Sequence, residues 1–149
     1  MVDIFVDADA CPVKDEVVKV ATRHNLTTYL VSNGGIRPPA NPLVQIVVVA
    51  EGADAADDWI VERIAANDIV VTQDIPLADR CIKKDAWALR PNGKIFTKDS
   101  IGMALATRNL MTDLREAGEI TGGPMAFANA DRSNFLQSLE TTIQAALRG

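Results

Sequence analysis

With 149 residues, of which 48% are hydrophobic and 23% charged, the chain has the length and composition of one globular domain spanning residues 1–149. Its formal net charge of −5 argues against sequence-independent binding of nucleic acid through a broad basic surface, but is compatible with a local basic rim around a metal site. The sequence has no apolar run of transmembrane length, no signal-peptide pattern, and only two cysteines, Cys11 and Cys81, without metal-ligand spacing. We therefore expect a cytoplasmic protein that does not enter membranes and keeps its thiols reduced.

Apolar runs alternate with amphipathic segments along the chain. This pattern predicts strands over 2–7, 27–32, 44–50, 69–72, 86–89 and 94–97, and helices over 12–24, 54–66, 76–84, 100–117 and 132–147. The nearly all-apolar run 44–50 is typical of a central parallel strand covered on both faces. Repeated strand–helix alternation indicates right-handed βαβ crossovers, so we predict an α/β fold with a mainly parallel sheet in a three-layer αβα arrangement.

Acidic residues follow three of the predicted strands. Asp7 and Asp9 end the first strand and, two residues apart in an extended chain, would project to the same side. Asp54 and Asp57 follow the third strand, and Asp74 follows the fourth, so all would gather at the carboxyl edge of the sheet. Crowded carboxylates repel each other unless a cation such as Mg²⁺ or Mn²⁺ binds them. The sequence therefore predicts a metal site formed by Asp7, Asp9, Asp57 and Asp74, with Asp54 as a further candidate ligand.

Helix capping is the competing interpretation of these carboxylates. Aspartate is a common N-cap, and carboxylates are favoured at the positive end of a helix. Asp54 fits a cap as well as it fits a metal ligand, because Asp57 stands where a capping box places its second acidic residue. Asp58 and Asp79 fit solvated helix positions better than ligand positions.

Several stretches resemble a known bacterial family, the uncharacterised YaiI/YqxD proteins, which are PIN-like. The resemblance covers almost the whole chain, and its matching stretches are Val6-Asp7-Ala8-Asp9-Ala10-Cys11-Pro12, residues 54–57, Thr72-Gln73-Asp74-Ile75-Pro76-Leu77-Ala78, Thr121-Gly122-Gly123-Pro124, Asp131-Arg132 and Phe135. The chain also resembles PIN-domain nucleases, more distantly. The resemblance lies in an inward-facing Asp57 on a helix, followed by an apolar strand that ends in Thr72-Gln73-Asp74. Asp7 matches the acidic residue that ends the first strand of these nucleases. PIN domains usually carry a further acid soon after that motif, whereas Asp79 here lies inside a helix behind Pro76.

The resemblance implies phosphodiester hydrolysis by a metal-dependent nuclease, with RNA as its substrate. Asp7 and Asp74 would hold one or two Mg²⁺ or Mn²⁺ ions, with Asp9 and Asp57 as ligands or orienters of water. If so, candidate phosphate contacts are Lys14, Arg37 and Arg132. The Gly122-Gly123-Pro124 loop is either a source of backbone N–H groups for an anion or a plain connector. The sequence leaves the oligomeric state open.

Two other functions remain open at this point. A haloacid-dehalogenase-like phosphatase would use Asp7 as nucleophile and Asp9 as general acid, although Cys11 stands where that family usually has Thr or Val. A Cys-x5-Arg phosphatase is excluded by Val17, so Cys11 is predicted to be an inert thiol. A non-catalytic RNA- or protein-binding PIN-like module is the third hypothesis. Lys and Arg flanking the carboxylates would favour catalysis or RNA binding, whereas an exposed apolar patch would favour a protein partner.

Overall fold

The computed structural model describes residues 2–8, 11–34, 40–50, 55–102, 106 and 129–148. Its strands are β1 (Ile4–Asp7), β2 (Thr28–Ser32), β3 (Val44–Val48), β4 (Ile69–Val71), β5 (Trp87–Leu89) and β6 (Ile95–Phe96). Its helices are α1 (Lys14–Arg23), α2 (Ala55–Arg63), α3 (Ile75–Ile82) and α4 (Asn129–Arg148), and residues 98–102 are also helical. None of the described helices is both long and apolar enough to span a membrane.

The six strands form one sheet in the order β3-β2-β1-β4-β5-β6, and only β6 runs antiparallel to its neighbour. This confirms the predicted α/β fold with a mainly parallel sheet. From β1 the chain builds outward through β2 to β3, and then returns to place β4 on the other side of β1. The direction of strand order therefore switches between β1 and β4, which is where open α/β sheets bind their ligands.

Helices cover both faces of the sheet, as predicted. Along β1 the side chains of Ile4 and Val6 enter one apolar core and that of Phe5 enters the other, because successive strand residues point to opposite faces. The first core also contains the inner faces of α1 and α4, through Val17, Val20, Phe135, Leu139 and Ile143. The second contains those of α2 and α3, through Ile60, Leu77, Ala78, Cys81 and Ile82.

The position predicted for the apolar run 44–50 is wrong. Strand β3 lies at the edge of the sheet, beside β2 alone, and Val48 is 67% exposed. Apolar character alone does not fix strand order: the inner residues of β3, such as Val44, are covered by the core, while its outer residues are not. The last helix also begins at Asn129, three residues before the predicted start at Arg132.

Helices α1 and α4 run side by side in the same direction. Near their starts, Arg132 pairs with Glu16, with 2.6 Å between Nη1 and Oε1. About two turns further along, Glu140 of α4 meets both Arg23 and His24 at the end of α1, at 3.1 Å and 2.6 Å. Since α1 follows β1, both helices begin at the carboxyl edge of the sheet. That edge therefore receives the first turn of α4 as well as those of the crossover helices.

Candidate functional site

The site is built where β1 and β4 end side by side. Ile4 of β1 pairs with Ile69 of β4, and the same register brings Asp7 opposite Thr72. The Thr72 hydroxyl donates a hydrogen bond to Asp7 Oδ2 at 3.2 Å. Asp7 lies two residues beyond Phe5, so its side chain projects toward the face covered by α2 and α3. This contact joins the two strands at the switch in strand order.

Thr72 also fixes the chain that leads to Asp74. The Asp74 backbone N–H donates to Thr72 Oγ1 at 2.9 Å, while the single hydroxyl hydrogen of Thr72 is used for Asp7. Asp74 Oδ1 in turn accepts from the Leu77 backbone N–H at 2.9 Å and caps α3, whose first turn also contains Pro76. One buried hydroxyl thus ties together Asp7 and the backbone of Asp74.

Thr72 is absent from the site residues predicted from the sequence. Its position in the Thr72-Gln73-Asp74 motif was the available signal: a hydroxyl residue follows a fully buried strand and precedes a carboxylate by two residues. Residues two apart at a strand end can share a hydrogen bond, but the partner across the sheet is not visible without the register. That partner is Asp7, which lies 65 positions away in the chain.

Asp57 lies half-buried in the first turn of α2, on the same side of the sheet as Asp7. Burial raises the pKa of the Cys81 thiol of α3 to about 12, and the charge of Asp57 contributes to that rise. Asp57 is therefore close enough to α3 to interact with it electrostatically. The structure thus places three predicted ligands on the face of the sheet that α2 and α3 cover. Asp7 ends β1, Asp57 lies in α2, and Asp74 caps α3.

Metal binding depends on how many carboxylates converge. Within the described part of the chain, no three His, Cys, Asp or Glu side chains form a group that could hold an ion. Two predicted ligands, Asp9 and Asp54, lie outside the described residues, so the complete predicted set stays a prediction. Mg²⁺ usually keeps several waters and takes only one or two carboxylates together with substrate phosphates. Asp7 and the Asp74 backbone meet at Thr72, and binding of one cation by the two carboxylates stays a prediction.

The predicted phosphate contacts lie on the other face of the sheet. Lys14 begins α1, and Arg132 in the first turn of α4 contacts the Pro12 carbonyl at 3.4 Å in addition to its ion pair with Glu16. Both residues flank the carboxyl edge on the side covered by α1 and α4. Arg37 lies outside the described residues, as does the Gly122-Gly123-Pro124 loop. The face covered by α1 and α4 therefore carries two cations at this edge, of which Arg132 is already paired with Glu16.

Comparison with known proteins assigns the chain to a family. Residues 5–145 match the family model described as "Uncharacterized BCR, YaiI/YqxD family". The chain belongs to the YaiI/YqxD family. It is 63% identical over 145 residues to a UPF0178 protein of Rhodopseudomonas palustris, covering 97% of this chain and 92% of that relative. It is 61% identical over 148 residues to a UPF0178 protein of Parvibaculum lavamentivorans, covering 99% and 97% of the two chains. No solved structure matches the chain.

Cys11 of this YaiI/YqxD-family chain is a buried thiol beside the site. The pKa of the Cys11 thiol is raised to about 11, chiefly by burial. The Val13 backbone and Lys14 lower this pKa, and the charges of Asp7 and Glu16 raise it. The thiol is therefore neutral near pH 7, in agreement with the prediction of an inert cysteine. The same interactions place Cys11 among charged groups from both β1 and α1.

The acidic residues interpreted as solvated helix positions form ion pairs with neighbouring cations. Asp58 is exposed and contacts Arg80 at 3.0 Å, and Asp79 contacts Lys83 one turn along α3 at 2.9 Å. Neither interaction involves Asp7 or Thr72. The family's YaiI/YqxD motif around residues 72–78 thus contains one carboxylate in the site, Asp74, and is followed by one outside it.

Proposed function

We propose that this protein is a phosphodiesterase that hydrolyses RNA with the help of Mg²⁺ or Mn²⁺ bound between the ends of β1 and β4. The observation that carries the proposal is the hydrogen bond from Thr72 to Asp7 at the switch in strand order, with the Asp74 backbone on the same hydroxyl. Two carboxylates that are oriented by buried hydrogen bonds at a ligand-binding edge are suited to hold a hard divalent cation. The resemblance of Asp7 and of Thr72-Gln73-Asp74 to the acidic positions of PIN-domain nucleases also supports this assignment.

Asp7 and Asp74 are the proposed metal ligands, with Asp9 and Asp54 as further ligands and Asp57 as the residue that orients water. A bound Mg²⁺ or Mn²⁺ would lower the pKa of a water and stabilise negative charge on the phosphate. The chain's own contribution is orientation. Thr72 holds one oxygen of Asp7, and the Leu77 N–H holds one oxygen of Asp74, so neither carboxylate can rotate without losing a hydrogen bond.

Two described cations at the carboxyl edge could contact a phosphate. One of them, Arg132, would have to exchange its present partner Glu16 for that phosphate. Lys14 and Arg132 are the proposed phosphate contacts among the described residues, with Arg37 as a third. A protein-binding module would instead need an exposed apolar patch. The large hydrophobic side chains that are exposed in the described part of the chain are Val48, Ile95 and Leu147, which lie on opposite sheet edges and at the end of α4. Because these three residues lie on three separate elements, they give no support to a docking patch within the described part of the chain.

The test combines metal titration with hydrolysis. Mn²⁺ and Mg²⁺ are titrated by calorimetry into the wild type, Asp7→Asn, Asp74→Asn and the control Asp79→Asn, whose carboxylate is paired with Lys83. Hydrolysis of single-stranded RNA and of bis(p-nitrophenyl) phosphate is measured with and without EDTA. We expect metal binding and metal-dependent hydrolysis in the wild type and Asp79→Asn, and loss of both in the other two variants.

Three results would contradict the proposal: hydrolysis that survives EDTA, full activity of Asp74→Asn, or no hydrolysis of either diester by the wild type. Hydrolysis of p-nitrophenyl phosphate, a monoester, in place of the diesters would instead support the phosphatase hypothesis for Asp7 and Asp9. RNA binding without hydrolysis would support the non-catalytic module.

A further inference from the structure

A polar groove lies at the carboxyl edge, beside the proposed metal site. It has a volume of about 290 Å³ and runs between the turn that joins β5 to β6 and the first half of α4. Its lining includes Asn92, Lys94, Asp131, Asn134 and Gln137. Strand β5 is the neighbour of β4, and the Thr72 N–H donates to the Leu89 carbonyl at 3.1 Å. Neighbouring strands are roughly 4.8 Å apart, so the turn after β5 begins about 10 Å from the end of β1.

The groove has a rigid wall because the turn rests directly on the backbone of α4. Gly93 has a φ of +92°, and a Cβ at this position would lie 2.7 Å from the carbonyl carbon and oxygen of Asn134. The turn is closed by bonds from Gly93 N–H to the Arg90 carbonyl at 2.9 Å and from Arg90 N–H to the Lys94 carbonyl at 2.8 Å. Only glycine permits both this conformation and this approach, so the groove is shaped before any ligand arrives.

The chemistry of the lining suits the base and sugar of a nucleotide. Asn134 and Gln137 are exposed amides, each with donors and an acceptor, and Lys94 adds an exposed cation. The Asn92 side-chain carbonyl already accepts from the Lys94 backbone N–H at 3.0 Å, which leaves its NH₂ group to face a ligand. Amide side chains read base edges, and unpaired bases of single-stranded RNA expose those edges.

The two faces of the sheet offer different groups to a ligand at the carboxyl edge. The carboxylates Asp7, Asp57 and Asp74 belong to the face covered by α2 and α3, whereas Arg132 and the groove belong to the face covered by α1 and α4. On the second face Arg132 is paired with Glu16, and the groove is lined by one cation, Lys94, and one carboxylate, Asp131. The groove therefore suits the uncharged base and sugar of a nucleotide better than its phosphate.

We propose that this groove holds a nucleotide of single-stranded RNA that flanks the scissile phosphate. The inference rests on the proposed function for the identity of the ligand. It adds a subsite, so that the protein would recognise a nucleotide next to the phosphate being cleaved as well as that phosphate. A small diester such as bis(p-nitrophenyl) phosphate is too short to reach the groove, whereas an oligoribonucleotide reaches it.

The test uses the double variant Asn134→Ala/Gln137→Ala and, as a matched control on the same helix, Gln144→Ala, which lies outside the groove. Both change exposed helix positions to alanine, a strong helix former, so the fold is retained and circular dichroism verifies this. The substrates are a fluorescein-labelled single-stranded oligoribonucleotide of mixed sequence and bis(p-nitrophenyl) phosphate, each with Mn²⁺. We expect the double variant to raise KM for the oligoribonucleotide about tenfold, with unchanged kcat/KM for the small diester and no effect of Gln144→Ala.

Failure of this inference and failure of the proposed function give different results. If RNA is hydrolysed but the double variant has the KM of the wild type, the subsite is wrong and the nuclease stands. If neither diester is hydrolysed, fluorescence anisotropy with the same oligoribonucleotide tests whether the groove binds RNA. Binding that is about tenfold weaker in the double variant supports the groove as a binding site, whereas equal binding, or none by the wild type, overturns it.

Discussion

Replacing Thr72 by valine tests the contact on which the site depends. Valine keeps the shape of threonine but removes the hydroxyl of a residue that is only 1% exposed. That hydroxyl donates a hydrogen bond of 3.2 Å to the Asp7 carboxylate and accepts one of 2.9 Å from the Asp74 backbone N–H. A hydrogen bond to a charged group contributes about 1.5–3 kcal/mol, and an unsatisfied N–H costs about 1–3 kcal/mol. Burying an additional methyl group offsets about 0.8 kcal/mol. These values sum to a loss of roughly 2–5 kcal/mol. Because both hydrogen bonds are only partly buried, we expect the lower end, a loss of about 2 kcal/mol in the free energy of unfolding, which lowers Tm by about 4–8 °C for a chain of this size.

The assay is urea unfolding followed by circular dichroism, applied to Thr72→Val, Asp7→Asn and the double variant. Because the hydroxyl acts through Asp7, Thr72→Val should cost less when Asp7 is already changed, with a coupling energy of about 1 kcal/mol. Thr72→Ser keeps the hydroxyl and should keep the coupling. If RNA is hydrolysed, Thr72→Val should also lower kcat/KM by about 10–100-fold, as loss of a ligand-orienting residue does. A coupling energy below about 0.3 kcal/mol would refute the argument.

Three further predictions concern a cap, a turn and an ion pair. Asp74→Asn should leave the free energy of unfolding within about 1 kcal/mol of wild type, since asparagine also caps helices, whereas Asp74→Ala should lower it by about 1 kcal/mol, both measured by urea unfolding. Gly93→Ala should lower it by about 1–3 kcal/mol, because the new Cβ meets the backbone of Asn134 and alanine disfavours positive φ. Glu140→Gln should destabilise by less than about 1 kcal/mol at pH 7, because its ion pairs with His24 and Arg23 are partly exposed. The difference in stability between Glu140→Gln and the wild type should vanish at low pH, as measured by thermal melts.

The sign of the last effect follows from the pKa of Glu140. Partial burial raises this pKa, but hydrogen bonds from Gln144 and His24 and the nearby positive charges hold it below the ordinary value of 4.5 overall. A carboxylate with a lowered pKa stabilises the fold above the unfolded value and loses that contribution as the pH falls through the folded value. A Glu140→Gln effect that persisted well below pH 4.5 would contradict this account. The prediction for the α3 cap would be contradicted by equal stability of Asp74→Ala and Asp74→Asn. The prediction for the turn would be contradicted if Gly93→Ala left the free energy of unfolding unchanged.

The parts of the fold that were predictable are those that local pattern determines. The buried strand ending in Asp7 and the buried strand before Asp74 were recognisable from apolar runs followed by acids, and parallel pairing then brought their ends to one edge. The strand–helix alternation fixed the αβα layers for the same reason. A pattern of period two or 3.6 reports which side chains are covered, and that was enough to identify which residues reach the carboxyl edge.

The parts that were not predictable depend on contacts between distant segments. Strand β3 is apolar throughout most of its length, yet it lies at the edge, because the chain returns beside β1 only after β3 is placed. The pairing of Arg132 with Glu16 spans 116 positions, and the contact of Thr72 with Asp7 spans 65. Neither separation leaves a local signal. The groove beside α4 depends in the same way on Gly93 meeting a helix some forty positions later.

The central place of β1 in the sheet has a consequence for how the protein is made. This strand leaves the ribosome before both of its neighbours, and β4, which covers its second edge, is translated more than sixty residues later. Until then an apolar strand with open backbone groups is a target for pairing with other nascent chains. Pairing over such long separations is slow, so the edge of β1 that receives β4 is covered later than the edge that receives β2.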